Sequence, residues 1–265
     1  MPTPLPQDLS TTQRRDAILE QLQRQGVVRV RDLAKHFAVS TVTVRADLAA
    51  MEEEGLLRRE HGGAVRTLPG RTLLTSLSGM EERQGLNSTQ KRAIAAAAAR
   101  HVRPRDIILI DAGTTAVEMV PFLTEVDDIT IVTNALNVAA AVGAHLRCRL
   151  ILLGGTYSRT SSSTLGPQAL HALSEFNISR LFLGTQAFDA ASGLTDTTTE
   201  IAQMKRAMID ASREVYLLAD SSKWEKAGFI KVAPLGKVHH VLSDSALPAC
   251  AIRAIKEAGP RCEIV

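Results

Sequence analysis

The pattern of apolar and polar residues in the first quarter of the chain predicts three short helices. Polar residues mark their ends: Ser10 and Gln13 have the spacing of a capping box, Gly26 ends the first helix, and Ser40 is a good N-cap for the third. The second helix is expected over residues 32–37. Apolar residues recur at helical spacing in all three and predict a core of Ile18, Leu19, Leu22, Leu33, Ala34, Phe37, Val44, Leu48 and Met51.

Two short strands are predicted next, over residues 56–59 and 64–66, around the turn His61-Gly62-Gly63. Two helices joined by a tight turn and followed by a strand pair are typical of a winged helix-turn-helix. In that motif the second helix enters the major groove of DNA, and its first residues touch base edges. The segment Ser40–Leu48 carries hydroxyls and an arginine on its outward face, so the sequence predicts binding to double-stranded DNA.

The remainder of the chain has a different pattern. Residues 67–87 contain Pro, Gly, Ser and Thr at high frequency and are interpreted as a linker. From residue 88 onward, β-branched or leucine-rich runs alternate with helical patterns, which predicts a parallel sheet covered on both faces. The strands are expected at 107–110, 129–132, 150–153, 181–183, 215–219, 238–242 and 262–265, and the helices at 89–101, 116–123, 135–145, 168–175, 200–211 and 248–258. The fold class is therefore α/β, with domains over 10–66 and 88–265.

Composition adds few constraints to this picture. With 45% hydrophobic and 22% charged residues, the chain is expected to fold around a sizeable core. The net charge of +3 neither requires nor excludes a nucleic acid. No apolar run approaches the roughly 18 residues of a membrane span, and the N-terminus has no signal-peptide layout, so a soluble, cytoplasmic protein without a membrane partner is expected. Three cysteines without metal-like spacing indicate small buried hydrophobes in a reducing compartment.

Several kinds of chemistry find no matching motif. There is no GxGxxG opening a helix after the first strand, no GxxxxGK[ST] and no GxSxG, which argues against dinucleotide binding, nucleotide hydrolysis and serine hydrolysis. The seven histidines are scattered. No catalytic residue, metal or cofactor is therefore expected.

Small polar residues follow five of the predicted strands, at the edge where an open parallel sheet binds ligands. They are Asp111, Gly113, Thr114 and Thr115; Thr133 and Asn134; Gly154 and Gly155; Gly184; and Asp220 to Lys223. Glycines and helix N-termini at this edge favour an anion, and Lys223 and Arg159 can supply the opposing charge. This combination predicts a pocket for a small polyol that carries a phosphate, with Asp111 and Asn134 bound to its hydroxyls.

Basic and hydroxylated residues of the N-terminal domain are the candidates for contacts to DNA. Arg45 of the third helix can pair bidentately with guanine, and Thr41 and Thr43 can contact bases or phosphate. Basic residues near the predicted strand pair can neutralise backbone charge. The full candidate set is Arg14, Ser40, Thr41, Thr43, Arg45, Arg58, Arg59, His61, Gly62 and Gly63.

These residues resemble the DeoR family of bacterial transcriptional regulators over nearly the whole chain. The family's N-terminal pattern matches Arg14, Ile18, Leu22, Ser40, Thr43, Val44, Arg45, Asp47, Leu48 and the block His61–Ala64. Where the family usually has a second basic or polar residue after the arginine, this chain has Ala46. Within the family the chain looks like the amino-sugar (aga-type) repressors.

The second half is similar to the family's effector domain, which resembles ribose-5-phosphate isomerase and glucosamine-phosphate deaminase in fold. The resemblance adds Gly166, Gly193–Thr195, Glu200 and Lys205 to the loops named above and implies a phosphorylated sugar or amino-sugar effector held by them. Where many relatives carry an acidic residue after the strand's glycine, this chain reads Gly184-Thr185-Gln186.

Two classes of function remain open on the sequence alone. The first is a repressor of a carbohydrate-utilisation operon that a sugar phosphate releases from DNA, acting as a homodimer or homotetramer because dimers read two half-sites. The second is a sugar-phosphate isomerase or deaminase with an accessory DNA-binding domain. An enzyme of that class needs a carboxylate base, and Asp111, Glu200 and Asp220 are available.

Overall fold

The computed structural model of the chain describes residues 10–25, 27–53, 56–60, 62–65, 73–74 and 79–265. It divides into two compact units, Met1–Arg71 and Thr72–Val265. We call them the winged unit and the sheet unit.

The winged unit contains three helices and a small antiparallel sheet with the strand order β1-β3-β2 in the part that the structure describes. Its capping signals are confirmed: the Gln13 backbone N–H donates to Ser10 Oγ at 3.3 Å, and the Ser10 N–H donates to Gln13 Oε1 at 3.1 Å. The helix predicted from residue 32 begins two residues earlier. The elements are α1 (Thr11–Gln25), β1 (Val27–Arg29), α2 (Val30–His36), α3 (Thr41–Glu53), β2 (Arg58–Glu60) and β3 (Gly63–Val65).

The core of the winged unit consists of the apolar residues that the helical spacing predicts. Burial of one such side chain contributes about 1.5–3 kcal/mol, so the shared core is what stabilises these short helices. The small sheet and the loop before it add Val28, Leu57 and Ala64. The buried residues of the predicted set are Ile18, Leu22, Leu33, Phe37, Val44, Leu48 and Met51, while Leu19 and Ala34 are half-buried.

The sheet unit is built on a seven-stranded parallel sheet with the order β17-β16-β13-β10-β5-β6-β7. Its strands are β5 (Ile107–Ile110), β6 (Thr130–Thr133), β7 (Arg149–Leu152), β10 (Ile178–Leu183), β13 (Ser212–Leu218), β16 (His240–Ser243) and β17 (Arg261–Ile264). The helices of this unit are α4 (Met80–Gly85), α5 (Ser88–Ala99), α6 (Leu136–His145), α7 (Pro167–Ser174), α8 (Thr199–Asp210) and α9 (Ala249–Glu257). The remaining strands are β4 (Leu73–Leu74), β8 (Thr156–Ser158), β9 (Ser163–Leu165), β11 (Ala187–Asp189), β12 (Gly193–Asp196), β14 (Ala227–Gly228) and β15 (Ile230–Ala233).

Both faces of the parallel sheet are buried, as the apolar strands predict. Alternate residues of one strand enter different cores: Leu181 and Leu183 belong to one hydrophobic cluster, and Phe182 belongs to the other. The same alternation separates Leu109 from Ile108. A sheet covered on both faces leaves its strand ends as the place where loops can form a site.

Several elements differ from the sequence-based expectation. The segment predicted as a helix over 116–123 is a 3-10 helix, Val117–Leu123, which contains Pro121. The hairpin β8–β9, the three-stranded sheet β11-β12-β15 and the pair β4–β14 were not predicted. Their strands are short and pair through distant residues, which local patterns do not reveal. Cys250, expected to be buried, is exposed.

The segment interpreted as a linker, 67–87, falls partly outside the described residues. Within it, β4 pairs in parallel with β14, and α4 occupies Met80–Gly85. Part of the predicted linker therefore belongs to the sheet unit. No helix among the described residues is long and apolar enough to cross a membrane.

Strand order reverses between β5 and β10. From β5 the chain proceeds outward through β6 and β7, then returns to β10 on the other side of β5 and proceeds to β13, β16 and β17. Loops that leave the carboxyl ends of such neighbouring strands toward opposite faces leave a crevice between them.

Candidate functional site

The outward face of α3 is formed by five of its first six residues. Val44 and Leu48 point into the core, so Val42, Arg45 and Ala46 are exposed, and Thr41 and Thr43 are half-buried. Ser40 caps the helix: its Oγ accepts from the Thr43 N–H at 3.0 Å and lies 2.8 Å from Thr43 Oγ1. Arg45 is thus the exposed cation of the first turns of α3.

Arg14, a predicted DNA contact, lies inside the winged unit. Its Nε donates to Asp47 Oδ2 at 2.6 Å, and the side chains are only 10% and 4% exposed. Arg15 Nε donates to the other oxygen of Asp47 at 3.2 Å. Arg14 therefore holds α1 against α3. It does not lie on the exposed face of α3, so the structure gives it a structural role.

The strand pair β2–β3, which we call the wing, carries the other predicted DNA contacts of this unit. Arg59 pairs with Glu52 of α3 through an Nε–Oε2 distance of 3.5 Å, and both side chains remain exposed. Gly62 lies in the turn, and a Cβ at Gly63 would lie 2.1 Å from the Val28 carbonyl oxygen, so β3 can approach β1 only with glycine there. The side chain of Arg58 and the whole of His61 lie outside the described residues.

Val42 is a candidate that the sequence did not single out. It is 71% exposed, at the second position of α3 and next to Thr41. An apolar side chain in contact with water at the N-terminus of such a helix is suited to the 5-methyl group of thymine. The apolar spacing that predicts helices does not reveal this residue, because it lies outside the buried stripe.

In the sheet unit, a crevice opens at the carboxyl ends of β5, β10 and β13. It has two adjoining parts that share Arg83, Ala112, Gln186 and Lys205. The part nearer β13 is lined by Asn87, Lys91, Gly113, Thr114, Thr115, Gly184, Thr185, Asp220, Ser222 and Lys223. The part nearer β6 is lined by Asp111, Asn134, Ser161, Ser163, Leu165, Asp196, Ile201 and Met204.

Lys205 holds two buried carboxylates at the floor of this crevice. Its Nζ lies 2.8 Å from Asp196 Oδ2 and 3.4 Å from Asp111 Oδ2, and it donates to the Gly184 carbonyl oxygen at 2.8 Å. Burial acts to lower the pKa of Lys205, but the two carboxylates outweigh it and keep the ammonium charged. Burial raises the pKa of Asp111, and Lys205 and the Gly184 N–H oppose that rise. The cluster fixes the Asp111 side chain at the end of β5.

Asn134 presents an unused acceptor to the same part of the crevice. Its Nδ2 donates to the Thr164 carbonyl oxygen at 2.9 Å, while its buried Oδ1 has no hydrogen-bond partner within the described part of the chain. A buried polar atom without a partner costs free energy unless a ligand or water satisfies it. Thr133, the preceding residue, is instead occupied: its hydroxyl donates to the Ile110 carbonyl oxygen at 2.7 Å.

The opposite part of the crevice is cationic. Burial lowers the pKa of Lys223, Lys91 and Arg83, and for both lysines the neighbouring cations lower it further. The Asp220 carboxylate opposes this lowering for both lysines, and its Oδ1 accepts from the Ser222 N–H at 3.1 Å. Arg83 and Lys91 were missed by sequence reasoning because they lie in the predicted linker and in an alanine-rich helix.

Several predicted effector residues, among them Thr133 and the stretch Gly193–Thr195, do not line this crevice. Arg159 is exposed at the tip of the β8–β9 hairpin. Gly154 and Gly155 lie in the turn before β8, where a Cβ at Gly155 would lie 2.6 Å from the Leu165 carbonyl oxygen. Gly166 and Glu200 line a separate surface groove together with Tyr157 and Thr198.

Comparisons with known proteins match both units. Residues 14–68 match the DeoR-like helix-turn-helix domain, and residues 86–245 match the DeoR C terminal sensor domain. A protein named for repression of the aga operon in Escherichia coli O157:H7 is 31% identical, with coverage of 94% of this chain and 92% of that protein. The glycerol-3-phosphate regulon repressor of Escherichia coli K12 is 30% identical, with coverage of 94% and 97%.

Two further matches were found. Transcriptional repressor AccR of Agrobacterium fabrum is 33% identical over 89% of this chain and 90% of that protein. Among solved structures, ribose 5-phosphate isomerase A from Methanocaldococcus jannaschii matches 52% of this chain and 55% of that one, at 15% identity and a TM-score of 0.39. That likeness is too low to support a conclusion about function.

Proposed function

Since the chain belongs to the DeoR family of transcriptional regulators, we propose that it represses a carbohydrate-utilisation operon and leaves the DNA when a phosphorylated sugar or amino sugar binds. The family membership assigns a DNA-binding unit and a sensor unit to one chain. The observation that carries the sensor half of the proposal is the crevice, which is cationic near β13 and rich in buried oxygen acceptors near β6.

The winged unit binds operator DNA through the N-terminal turns of α3. Arg45 pairs with a guanine in the major groove, and Thr41 and Val42 contact neighbouring bases. Arg58 and Arg59 neutralise phosphates from the wing. The exposed pair Arg59–Glu52 is worth at most about 1 kcal/mol, so exchange of Glu52 for a DNA phosphate costs little.

The effector lies across the crevice with its phosphate near β13. Lys223 supplies charge, and Thr114 and Thr115, after β5, supply hydroxyls. The sugar hydroxyls of the effector bind to Asp111 and to the unused Oδ1 of Asn134. Buried acceptors of this kind discriminate strongly between a ligand that donates to them and one that does not.

The repressor acts as a homodimer or homotetramer in the cytoplasm. One winged unit offers few contacts, and two-fold symmetric dimers read half-sites one helical turn apart. Sedimentation at operator-binding concentrations tests this part, since a monomer would contradict it.

The alternative of an isomerase or deaminase gains no support from these relatives, whose names are those of transcriptional regulators. An assay for turnover of phosphorylated aldoses and amino sugars tests it directly.

Thermal stabilisation by a panel of sugar phosphates tests the sensor half of the proposal. A specific ligand raises the apparent stability by mass action, by about 2.7 kcal/mol at a hundred times its Kd. We expect one or a few phosphorylated sugars to stabilise the protein and their unphosphorylated forms to have no effect. Equal responses to both forms would contradict a phosphate-dependent site.

A further inference from the structure

The crevice has a wall that comes from none of the parallel strands. Helices α4 and α5 and the two residues between them, which precede β5 in the chain, contribute Arg83, Leu86, Asn87 and Lys91 to its lining. Two of these residues, Arg83 and Lys91, are cations in the part of the crevice where we place the phosphate. The proposed function assigns no role to either.

Lys91 is built into this wall. It is 4% exposed, and its ammonium donates to the Arg83 carbonyl oxygen in the last turn of α4. A lysine that is almost fully buried needs compensation for its lost hydration. The Arg83 carbonyl provides part of that compensation and ties α4 to α5.

Asn87, between the two helices, ties the same wall to the loop after β13. Its backbone is left-handed, with φ of 52°, and its Nδ2 donates to Asp220 Oδ1 at 3.0 Å and to Ser222 Oγ at 3.3 Å. These two bonds hold the α4–α5 connection against the loop that carries Lys223. Arg83 itself bonds through Nη2 to the Thr160 carbonyl oxygen at 3.3 Å.

Arg83, Lys91 and Lys223 therefore line the same part of the crevice, and Asp220 acts on both lysines. Arg83 also borders the other part, where Asp196 and Asp111 oppose the lowering of its pKa by burial. Lys91 and Lys223 each lose hydration by burial, which lowers their pKa, and Arg83 lowers the pKa of both. Like charges repel strongly where water is scarce, and a dianion between them removes that repulsion.

We infer that Arg83 and Lys91 are anion-binding residues of the effector site and that a bound phosphate clamps α4 and α5 onto the loops after β5 and β13. This inference rests on the proposed sensor function and names how that site responds to its ligand. The clamp concerns α4 in particular, because α4 is the first helix of the sheet unit along the chain. Ligand binding then changes how firmly the start of this unit is held.

The experiment uses the full-length protein with two kinds of probe, inorganic phosphate and the panel of sugar phosphates, at constant ionic strength. Affinity is measured by thermal shift, and hydrogen exchange is followed in peptides that cover residues 79–99. The variants are Arg83→Gln and Lys91→Gln. Arg92→Gln is the matched control, since Arg92 lies on α5 but is exposed and faces Phe122 outside the crevice.

We expect ligand to slow exchange in α4 and α5 of the parent protein. Loss of one charge-assisted bond to phosphate should weaken binding about tenfold or more in each test variant, and Arg92→Gln should bind as the parent does. If Lys91→Gln does not fold, as judged by its thermal transition without ligand, Arg83→Gln carries the test, because Arg83 is only half-buried.

Three results would overturn the inference, and they differ in what they leave standing. If the parent binds a sugar phosphate and both variants bind it equally well, the proposed sensor function stands and these residues have no part in it. If binding weakens in the variants but α4 and α5 exchange at the same rate with and without ligand, the clamp is refuted. If the parent responds to none of the probes, the proposed sensor function fails together with the inference.

Discussion

Removal of the Asp47 carboxylate is expected to destabilise the winged unit while leaving the sheet unit intact. Asp47 accepts bonds from Arg14 at 2.6 Å and from Arg15 at 3.2 Å. In Asp47→Ala, the Arg14 guanidinium stays buried without a carboxylate, whereas Arg15 is 30% exposed and can turn to water.

The magnitude follows from the burial of the pair. Breaking a buried ion pair by removing one partner costs about 3–5 kcal/mol, and replacing both partners by apolar side chains of similar size is often neutral or stabilising. We therefore expect Asp47→Ala to lower the free energy of unfolding of the winged unit by about 3 kcal/mol or more. The double variant Arg14→Met, Asp47→Leu should recover most of that loss.

Hydrogen exchange read by mass spectrometry is the appropriate assay. The single tryptophan and both tyrosines of the chain, Trp224, Tyr157 and Tyr216, all lie in the sheet unit. Fluorescence therefore reports that unit and serves as the internal control, while exchange in peptides of α1 and α3 reports the winged unit. Faster exchange in α1 and α3, with an unchanged Trp224 signal, is the expected result.

The double variant also tests what Arg14 does. If Arg14 only holds α1 against α3, the double variant should bind operator DNA with the affinity and salt dependence of the parent. A folded double variant whose binding is weaker, with a salt slope smaller by about one, would mean that Arg14 contacts a phosphate. A loss below 1 kcal/mol in Asp47→Ala would refute the argument from burial.

Three further predictions concern DNA and effector. Arg45→Ala should cost about 1–3 kcal/mol at the operator in an anisotropy titration and relax preference at one base pair; unchanged selectivity would contradict the assignment. Replacing a single thymine by deoxyuridine removes one methyl group and should weaken the binding of the parent protein by about 0.8 kcal/mol at one operator position. The affinity of Val42→Ala should not change with the same replacement. Lys223→Ala should keep operator affinity but lose release by sugar phosphate; calorimetry showing parental affinity for the ligand would place the phosphate elsewhere.

Local signals in the sequence predict the winged unit well. The capping pair Ser10–Gln13 and the N-cap Ser40 act within four residues, and the structure confirms both. The sequence also predicts the buried stripe that contains Val44 and Leu48, because helical spacing alone determines which residues face the core. The position of Arg14 could not be predicted in this way, since its burial depends on Asp47, which is 33 residues away.

The crevice was predictable only in part, for the same reason. Asp111 lies directly after β5 and Lys223 lies in the loop after β13, and the parallel topology brings both strand ends to one edge. Arg159 also follows a predicted strand, but the β8–β9 hairpin carries it away from the crevice. Arg83 and Lys91 reach the crevice through contacts that no local pattern encodes, such as the bond from Asn87 to Asp220.

Release of operator DNA by a sugar phosphate is the decisive test of whether this chain is an effector-controlled repressor. A duplex enriched by the full-length protein from a random library serves as the operator, and its fluorescence anisotropy is followed as each phosphorylated sugar of the panel is added. We expect one or a few sugar phosphates to release the duplex, while their unphosphorylated forms and inorganic phosphate at equal concentration do not. Tight binding to a selected duplex that none of the sugar phosphates alters would contradict that expectation.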